Sequence, residues 1–339
     1  MYADISFWLS VVFMLGGLVA LAWSSDMFVD GAAVMAKALG ISPFVIGMVI
    51  IGFGTSAPEL AVSAMSGISG HSNLSLGNAY GSCVFNIAVI LGIAALIRPL
   101  AVRPSVSFVA GLGLAFISLF SLVILGNGTC SRTEASVLLV AFLVLLPLYC
   151  WYDQKTKGAA ADAKAETTAA YSRRSLVIAG LKIAIGLAVL VVSSHFLVWG
   201  AVDFAKFLHV SDLVIGLTII AAGTSLPELA SAIASARRGE HEFVLGNIIG
   251  SNLFNMLAVV GIATVISPLV PGADGSPAFS PYILTRDLPL LTGLSLTILL
   301  FGLNLRHPRS PGRIGRPVAV LWLLVFVAYT IVMFLQETR

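Results

Sequence analysis

Charged residues are scarce in this sequence. Of its 339 residues 10% are charged and 58% are apolar, whereas a soluble domain usually has about 25% charged and about 45–50% apolar residues. A disordered chain and a nucleic-acid-binding protein both need more charge than this. The apolar stretches are also continuous and do not alternate with polar residues, which excludes a membrane β-barrel. The composition therefore predicts an all-α polytopic membrane protein.

Cysteines and leader signals are also lacking. Cys83, Cys130 and Cys150 show no CxxC spacing, so they predict neither a disulfide framework nor a zinc site. The first ten residues contain no basic stretch and no small-residue cleavage site, which is typical of a retained first span. We expect no cofactor, no nucleic acid and no obligatory protein partner. The expected partners are the lipid bilayer and small ions.

Ten apolar runs are long enough to cross a bilayer, since a spanning helix needs about 20 apolar residues. A polar, Ala-rich segment divides them five and five, which predicts a first half at 1–152, a linker at 153–174 and a second half at 175–339. The predicted spans are 7–24, 41–66, 75–97, 106–126, 135–152, 175–202, 211–236, 243–266, 288–304 and 318–335.

Lysine and arginine are divided unequally between the two sets of loops. About 14 lie on the side of the linker, and about four lie on the other side with the termini. Basic loops tend to stay in the cytoplasm. The linker is therefore predicted to be cytoplasmic and both termini external, in a cell (inner) membrane.

An internal repeat links the two halves. GTSAPEL at 54–60 returns as GTSLPEL at 223–229, and LGNAYGSCVFN at 76–86 returns as LGNIIGSNLFN at 245–255, each 169 residues later without a gap. Five crossings separate equivalent points, and five is odd, so the second copy is expected to be upside down. This predicts about ten transmembrane helices as two inverted five-helix repeats, a layout that places the substrate site between the repeats near the bilayer midplane.

Two glutamates, Glu59 and Glu228, lie at equivalent positions inside the second and seventh predicted spans. An ionised carboxylate at the centre of a membrane helix costs about 2.5–3.5 kcal/mol on insertion scales. No lysine or arginine lies mid-span to pair with them. A bound cation is therefore a better partner than a structural ion pair.

The residues around each glutamate are typical of a cation site. Thr55 lies four residues before Glu59, so the two side chains share a helix face, and Ser56 lies beside them. Pro58 lacks an N–H and crowds the carbonyl four residues earlier, so the helix must break or kink, which frees carbonyls at 51–55. The corresponding residues of the second half are Thr224, Ser225, Pro227 and Glu228.

The third and eighth spans add polar pairs spaced i, i+4, so each pair faces one way: Ser82 with Asn86, and Ser251 with Asn255. Their glycines are spaced for close helix approach. These glycines are Gly77, Gly81, Gly246 and Gly250. Because these pairs are in register with the glutamate motifs, we assign them to the same site.

The predicted site is all oxygen, which suits a hard cation. Calcium accepts 6–8 oxygens in flexible geometry, whereas magnesium resists losing its water and softer metals prefer sulfur or imidazole. The empty site carries a charge of about −2, which is expensive to move through the membrane. The carrier is therefore expected to change face only when loaded, which predicts a secondary active antiporter and not an enzyme.

The repeated motifs resemble the α-repeats of the cation/calcium exchanger superfamily, specifically the prokaryotic sodium/calcium exchangers. GTSAPE with GNxxGSxxFN, and GTSLPE with GNIIGSNLFN, carry the resemblance, which covers nearly the whole chain. It implies a compact core of the second, third, seventh and eighth helices, across which the long first and sixth helices slide. It also implies exchange of calcium for sodium by alternating access.

The resemblance further implies a role for each site residue. Calcium is expected between Glu59 and Glu228, with the carbonyls of Thr55 and Thr224. The expected sodium ligands are the carbonyls of Gly52 and Ala221 and the hydroxyls of Ser56, Ser225, Ser82 and Ser251. Asn86 and Asn255 are expected to complete the central position.

Two departures from the family pattern leave questions open. Some relatives carry an aspartate where this chain has Asn86 or Asn255, so a third ionisable group is missing, and the coupling stoichiometry and any potassium dependence stay open. Cys83 also stands where the second half has Asn252.

Other functions remain as alternatives. A calcium/proton or potassium-dependent calcium/sodium exchanger is the nearest, because protons also neutralise carboxylates, although the additional hydroxyls and carbonyls favour sodium. A channel would conduct without a counter-ion. An intramembrane hydrolase using Ser56 or Ser225 would need a base and an orienting group, and the chain has no GxSxG or HExxH motif.

Overall fold

The chain is almost entirely helical. The computed structural model describes residues 2–68, 72–161, 172–207, 221–271, 277–304, 307 and 310–337. Helices of the first half are α1 (Tyr2–Leu39), α2 (Pro43–Ile46), α3 (Phe53–Thr55), α4 (Ala57–Ile68), α5 (Ser72–Phe85), α6 (Gly92–Ile97), α7 (Pro104–Phe108), α8 (Leu114–Leu125) and α9 (Arg132–Ala161). Helices of the second half are α10 (Arg173–Phe207), α11 (Ala221–Gly223), α12 (Leu226–Arg238), α13 (His241–Leu253), α14 (Val260–Ile266), α15 (Leu288–Gly302) and α16 (Arg316–Glu337).

Short π-helical segments widen several of these helices from within or at one end. In the described residues they are Gly47–Gly52, Asn86–Leu91, Val109–Gly113, Phe254–Val259 and Ile283–Asp287. Such turns are rare and frequently occur at functional sites. Three of the five contain a residue of the predicted ion site.

Eight helical stretches of the described residues are long and apolar enough to cross a membrane. They correspond to every predicted span except the second and the seventh, which are the two that carry a proline directly before the glutamate. The second is broken at Ser56 into shorter helices, and the seventh is broken at Thr224 and Ser225. The predicted breaks are therefore confirmed, while 211–220 of the predicted seventh span lie outside the described residues.

The helices differ strongly in burial, which defines the centre of the molecule. Among the 18 most apolar consecutive residues of each stretch, 89% are buried in His241–Ile266 and 67% in Ser75–Ile97. The corresponding shares are 22% in α1, 17% in α10 and 11% in α16. The third and eighth predicted spans therefore form the core. The outer helices present apolar side chains outward, which suits contact with lipid.

The first predicted span, 7–24, ends too early, because α1 continues to Leu39. At about 1.5 Å per residue its 38 residues measure about 57 Å, longer than the hydrocarbon core of about 30 Å. The helix continues beyond the predicted end through Asp26 and Asp30, because the charges of both are paired with basic side chains of other helices. Asp30 lies 2.6 Å from Lys182 Nζ and 3.1 Å from Arg238 Nη1.

Close packing through glycine joins α1 to α10. A Cβ placed on Gly17 would lie 2.8 Å from the backbone nitrogen of Leu197, and one on Gly186 would lie 2.9 Å from the Cα of Phe28. These contacts are too short for any side chain, so glycine permits the two long helices to lie against each other.

Short extended segments of the two halves also pair with each other, which the all-helical prediction did not include. Strand β1 (Leu100–Val102) pairs antiparallel with β2 (Gly312–Ile314). Leu269, the repeat counterpart of Leu100, bonds in the same extended manner with Cys130. Each half thus pairs one loop with a loop of the other half.

Part of the predicted linker is helical. Residues 153–161 belong to α9, and 162–171 lie outside the described residues. Asp153 is buried beside Arg103, whose Nη2 lies 2.8 Å from its Oδ1, and it accepts a hydrogen bond from Ser42. This buried ion pair makes the start of the predicted linker part of the folded structure.

Candidate functional site

Both glutamate-bearing segments are interrupted just before the glutamate. Ser56 has φ −82° and ψ 7°, and Ser225 has φ −91° and ψ 10°, so the two interruptions share one geometry. Pro58 and Pro227 explain it, because proline provides no backbone donor for the preceding turn. Each glutamate falls in the first turn of the next helix, where the positive end of the helix dipole favours a negative charge.

The two halves exchange hydrogen bonds at the glutamates. Ser56 Oγ donates to Glu228 Oε1 at 3.0 Å, and Ser225 Oγ donates to Glu59 Oε1 at 3.0 Å. Each serine therefore supports the glutamate of the opposite half. All four side chains are fully buried, so both carboxylates face one region shared by the two halves.

Asn78 and Asn247, which the sequence analysis did not select, brace this arrangement. Each donates through Nδ2 to the backbone oxygen of its own half's glutamate at 3.2 Å. Each accepts a hydrogen bond at Oδ1 from the threonine of the other half, at 3.5 Å from Thr224 and 3.3 Å from Thr55. A signal for both existed in the sequence, since this asparagine is present in both copies of the LGN motif.

Ser251 and Gly52 meet across the boundary between the halves. Ser251 Oγ donates to the carbonyl oxygen of Gly52 at 3.2 Å and lies 3.5 Å from Glu228 Oε1. A Cβ on Gly52 would lie 2.9 Å from the backbone nitrogen of Ser251, so the approach requires glycine. Their repeat counterparts are Ser82, which is buried on α5, and Ala221, which begins α11.

Asn86 and Asn255 lie in π-helical turns at the centre of the core. Asn86 opens Asn86–Leu91, and Asn255 is the second residue of Phe254–Val259. Both side chains are fully buried. Within the described residues, Asn86 Oδ1 and both side-chain amide atoms of Asn255 have no hydrogen-bond partner.

The second oxygen of each glutamate is likewise unpartnered. Glu59 Oε2 and Glu228 Oε2 are buried and accept no hydrogen bond within the described residues. No lysine or arginine forms an ion pair with either carboxylate in that part of the chain, as the sequence predicted. A buried carboxylate costs much free energy unless it is paired or coordinates a cation. The site therefore offers free, hard oxygen ligands on two acidic groups.

The predicted residues divide into three groups by what the structure shows of them. Ser56, Ser225 and Ser251 donate to a carboxylate oxygen, whereas Thr55 donates to Asn247 and Gly52 accepts from Ser251. Ser82, Asn86 and Asn255 are buried on the adjoining core helices. Thr224 is only half-buried, and the side chain of Ala221 lies outside what the structure describes.

The prediction of close helix approach is confirmed at the glycines of the second half. A Cβ on Gly246 would lie 2.3 Å from the carbonyl oxygen of Phe44, and one on Gly250 would lie 2.2 Å from that of Met48. By the repeat, Gly77 and Gly81 should face residues 213–217, which lie outside the described residues. Close helix approach at this first pair therefore stays a prediction.

Comparison with known proteins gives matches along nearly the whole chain. The profile of the family described as sodium/calcium exchanger protein matches residues 9–151 and 179–335. CaxA of Alkalimonas amylolytica, a candidate antiporter, is 37% identical over 96% of this chain and 98% of its own length. The sodium/calcium exchanger MaX1 of Methanosarcina acetivorans is 28% identical over 95% of this chain and 97% of its own length.

A solved structure shows the same fold. The sodium-calcium exchanger NCX_Mj, soaked with sodium and strontium ions, matches with a TM-score of 0.78 at 31% identity, covering 94% of this chain and 97% of NCX_Mj. These matches confirm the resemblance that the two repeated motifs indicated.

Proposed function

Because the chain belongs to the sodium/calcium exchanger protein family, we propose that it is a secondary active antiporter that exchanges calcium for sodium across the cell membrane. The observation that carries the proposal is the pair of crossed hydrogen bonds between Ser56 and Glu228 and between Ser225 and Glu59. They bring one buried carboxylate from each half to the boundary between the halves, which supports a single ion site shared by both.

Calcium is the proposed divalent substrate. Each carboxylate keeps one oxygen free of hydrogen bonds within the described residues, and the amide oxygen of Asn86 is also free. Calcium accepts 6–8 oxygens without strict geometry, and it neutralises two carboxylates. Sodium ions would use the hydroxyls and carbonyls around the same carboxylates, among them those of Ser251 and Gly52.

Exchange follows from the charge of the site. Without ions the two carboxylates carry about −2 in surroundings from which water is excluded, and a membrane-buried charge is costly. One calcium or two to three sodium ions remove that charge. The loaded protein can therefore change the side that it opens to, and the empty protein cannot, which couples the two ion flows.

We further propose ten spans arranged as two inverted repeats. The two segments broken at Ser56 and at Thr224–Ser225 would complete the ten, each crossing as two shorter helices. Irregular backbone at membrane depth is tolerated where it is buried in protein, and these breaks are largely buried. The counterpart bonds between the halves support a two-fold relation, and the predicted linker would then face the cytoplasm.

The long helices α1 and α10 would move as a pair across the core. Side chains of α10 lie over a glycine of each broken segment: Leu187 lies over Gly54, and Val198 lies over Gly223. Gly54 and Gly223 are repeat counterparts. Contacts of this kind can shift without unfolding either helix, which suits alternating access.

The proposal is tested by calcium flux into proteoliposomes at clamped pH, with and without an outward sodium gradient. Uptake should require the sodium gradient, and Glu59→Gln or Glu228→Gln should each reduce it to the background of empty vesicles. The matched control is Glu134→Gln, which changes an exposed glutamate at the start of α9 and should retain native uptake.

Each alternative gives a different result in the same vesicles. Uptake driven by a pH gradient without sodium would indicate a calcium/proton exchanger, and uptake that requires potassium as well would indicate potassium dependence. Uptake without any counter-ion would indicate a channel. Native exchange in either glutamine variant would overturn the two-glutamate site.

A further inference from the structure

One of the positions at which the two repeats differ is buried and lies three residues from a site asparagine. Residue 83 is a cysteine, whereas its counterpart 169 residues later is Asn252, and both side chains are fully buried. Each stands three residues before a site asparagine, Asn86 or Asn255. The difference therefore affects the part of the site where the two central amides lie.

Asn252 holds Asn86 across the boundary between the halves. Asn86 Nδ2 donates to Asn252 Oδ1 at 2.9 Å, and Asn252 Nδ2 in turn donates to the backbone oxygen of Cys83 at 3.4 Å. The amide of Asn86 is thus fixed through its nitrogen. Its oxygen, which has no partner in the described chain, is left on the opposite side of the amide.

Asn255 has no equivalent support. By the repeat, its partner should be the side chain of residue 83, but a thiol has no amide oxygen to accept from Nδ2 and is itself a weak donor and acceptor. The Cys83 sulfur lies 3.8 Å from the backbone oxygen of Asn252. Within the described residues, both side-chain amide atoms of Asn255 are consequently unpartnered although the side chain is fully buried.

A fixed amide and a free amide bind a cation differently. A cation needs the oxygen and is repelled by the NH2 group, and Asn86 can present only its oxygen because its nitrogen is engaged. Asn255 can rotate to present either atom, so part of the binding free energy is spent on ordering it. Its freedom also lets it adapt to ions of different size or number.

We propose that Asn252 is a positioning residue that turns the Asn86 oxygen toward the transported ions, and that Cys83 leaves Asn255 free, so that the two halves contribute unequally to ion binding. This inference rests on the proposed function of the site. It assigns the calcium preference of the central position mainly to Asn86, and it makes residue 83 a determinant of ion affinity.

The test exchanges the two residues between the halves. The full-length protein is purified in detergent, calcium binding is measured by titration calorimetry, and sodium is titrated as a competitor. Asn252→Cys should raise the half-saturating calcium concentration about threefold to tenfold, the loss of about one hydrogen bond. Cys83→Asn should lower it by a similar factor, because Asn255 gains the partner that Asn86 already has.

Matched controls separate positioning from packing. Cys83→Ala also removes the thiol but adds no amide, so it should not tighten calcium binding. In an Asn86→Ala background, Asn252→Cys should cause no further loss, because the residue through which it acts is gone. Thermal unfolding of each variant checks that the change in affinity is not a change in folding.

Two outcomes would overturn the inference. One is an Asn252→Cys effect that is equally large with and without Asn86, and the other is equal calcium affinity in Cys83→Asn and Cys83→Ala. A native protein that binds no calcium would instead contradict the proposed function. The two failures are therefore distinguishable in the same titration.

Discussion

At the scale of single residues, the site depends on side chains that act on the opposite half. Ser56 and Glu59 are neighbours in sequence, yet the Ser56 hydroxyl bonds to Glu228. Likewise, Ser225 is a neighbour of Glu228 in sequence, and its hydroxyl bonds to Glu59. Either half alone would therefore have a glutamate without its serine, and the proposed ion site would exist only where the halves meet.

A serine variant should reveal this crossing. Ser56→Ala removes a donor to a carboxylate, an interaction worth about 1.5–3 kcal/mol, and we expect at least a tenfold rise in the calcium concentration that half-saturates exchange. Infrared difference spectra identify which glutamate is affected. The carboxylate band that disappears in Glu228→Gln should shift in Ser56→Ala and keep its native position in Ser225→Ala. A shift of the Glu59 band instead would contradict the crossed arrangement.

At the scale of helices, the breaks and the close approaches carry the function. Two prolines end helices within the fold, and the glutamates occupy the first turns that follow. In the described residues, α13 touches the backbone of the broken segment through Gly246 and Gly250. By the repeat, the matching glycines on α5 should face residues 213–217, which lie outside the described residues.

The close approach at Gly246 predicts that an added methyl group is costly there. Gly246→Ala should destabilise the protein by about 1–3 kcal/mol, since its methyl group would overlap the Phe44 carbonyl. The matched control is Gly293→Ala, an exposed position of α15 where no atom of the described chain lies within 4 Å of the added Cβ. It should leave stability unchanged or slightly higher, because alanine favours helix over glycine. Thermal unfolding in detergent compares the two. Equal destabilisation would mean that the cost of Gly246→Ala does not come from the close backbone approach.

Two groups of ion pairs tie helices together, and they differ in exposure. Arg103 binds the buried Asp153 and also pairs with Glu242 at the start of α13. Arg238 at the end of α12 pairs with Asp26 and Asp30 of α1, which are 56% and 39% exposed at their side chains. Water screens the second group far more than the first.

Removing the two arginines should therefore have different costs. Arg103→Gln leaves a buried carboxylate without its counter-charge, and we expect a loss of about 3 kcal/mol of stability. Arg238→Gln breaks exposed pairs and should cost at most about 1 kcal/mol. The two apparent Tm values, measured side by side, decide the order. A larger fall for Arg238→Gln would show that its network is shielded from water.

At the scale of the whole molecule, the pairings between the halves bear on how the chain crosses the membrane. Ten spans with an inverted second half would place both termini on one side and the loops of the two pairings on opposite sides. The strand pair formed by β1 and β2 and the extended bond between Cys130 and Leu269 would then lie on opposite faces. Each would fasten one half to the other at its own side of the bilayer.

Cysteine labelling tests this arrangement in intact cells. A cysteine at Gly158, at the end of α9, should react with an impermeant reagent only after the membrane is opened. A cysteine at Gly275, which lies outside the described residues, should react from outside. The native protein supplies the background, because Cys83 and Cys130 are buried and Cys150 is half-buried. Reaction of both positions from one side would mean that the span count is wrong.

The sequence by itself determined the membrane class, the repeat, the helix breaks and the acidic pair. These follow from local chemistry: apolar run length, a 169-residue spacing, the missing N–H of proline, and the cost of a carboxylate among apolar residues. The length of α1 was underestimated for the same reason. Its acidic positions end the apolar run in sequence, whereas their basic partners lie on α10 and α12.

Only the tertiary structure decided which side chains meet. The crossed serines, the bracing by Asn78 and Asn247, and the unequal support of Asn86 and Asn255 all join residues of different halves, more than 140 positions apart in the cases that cross. The asparagines of the LGN motifs were visible as repeats, yet nothing local assigned them partners. Hydrogen-bond partners are set by the packing of the two halves against each other, which a pattern along one chain does not encode.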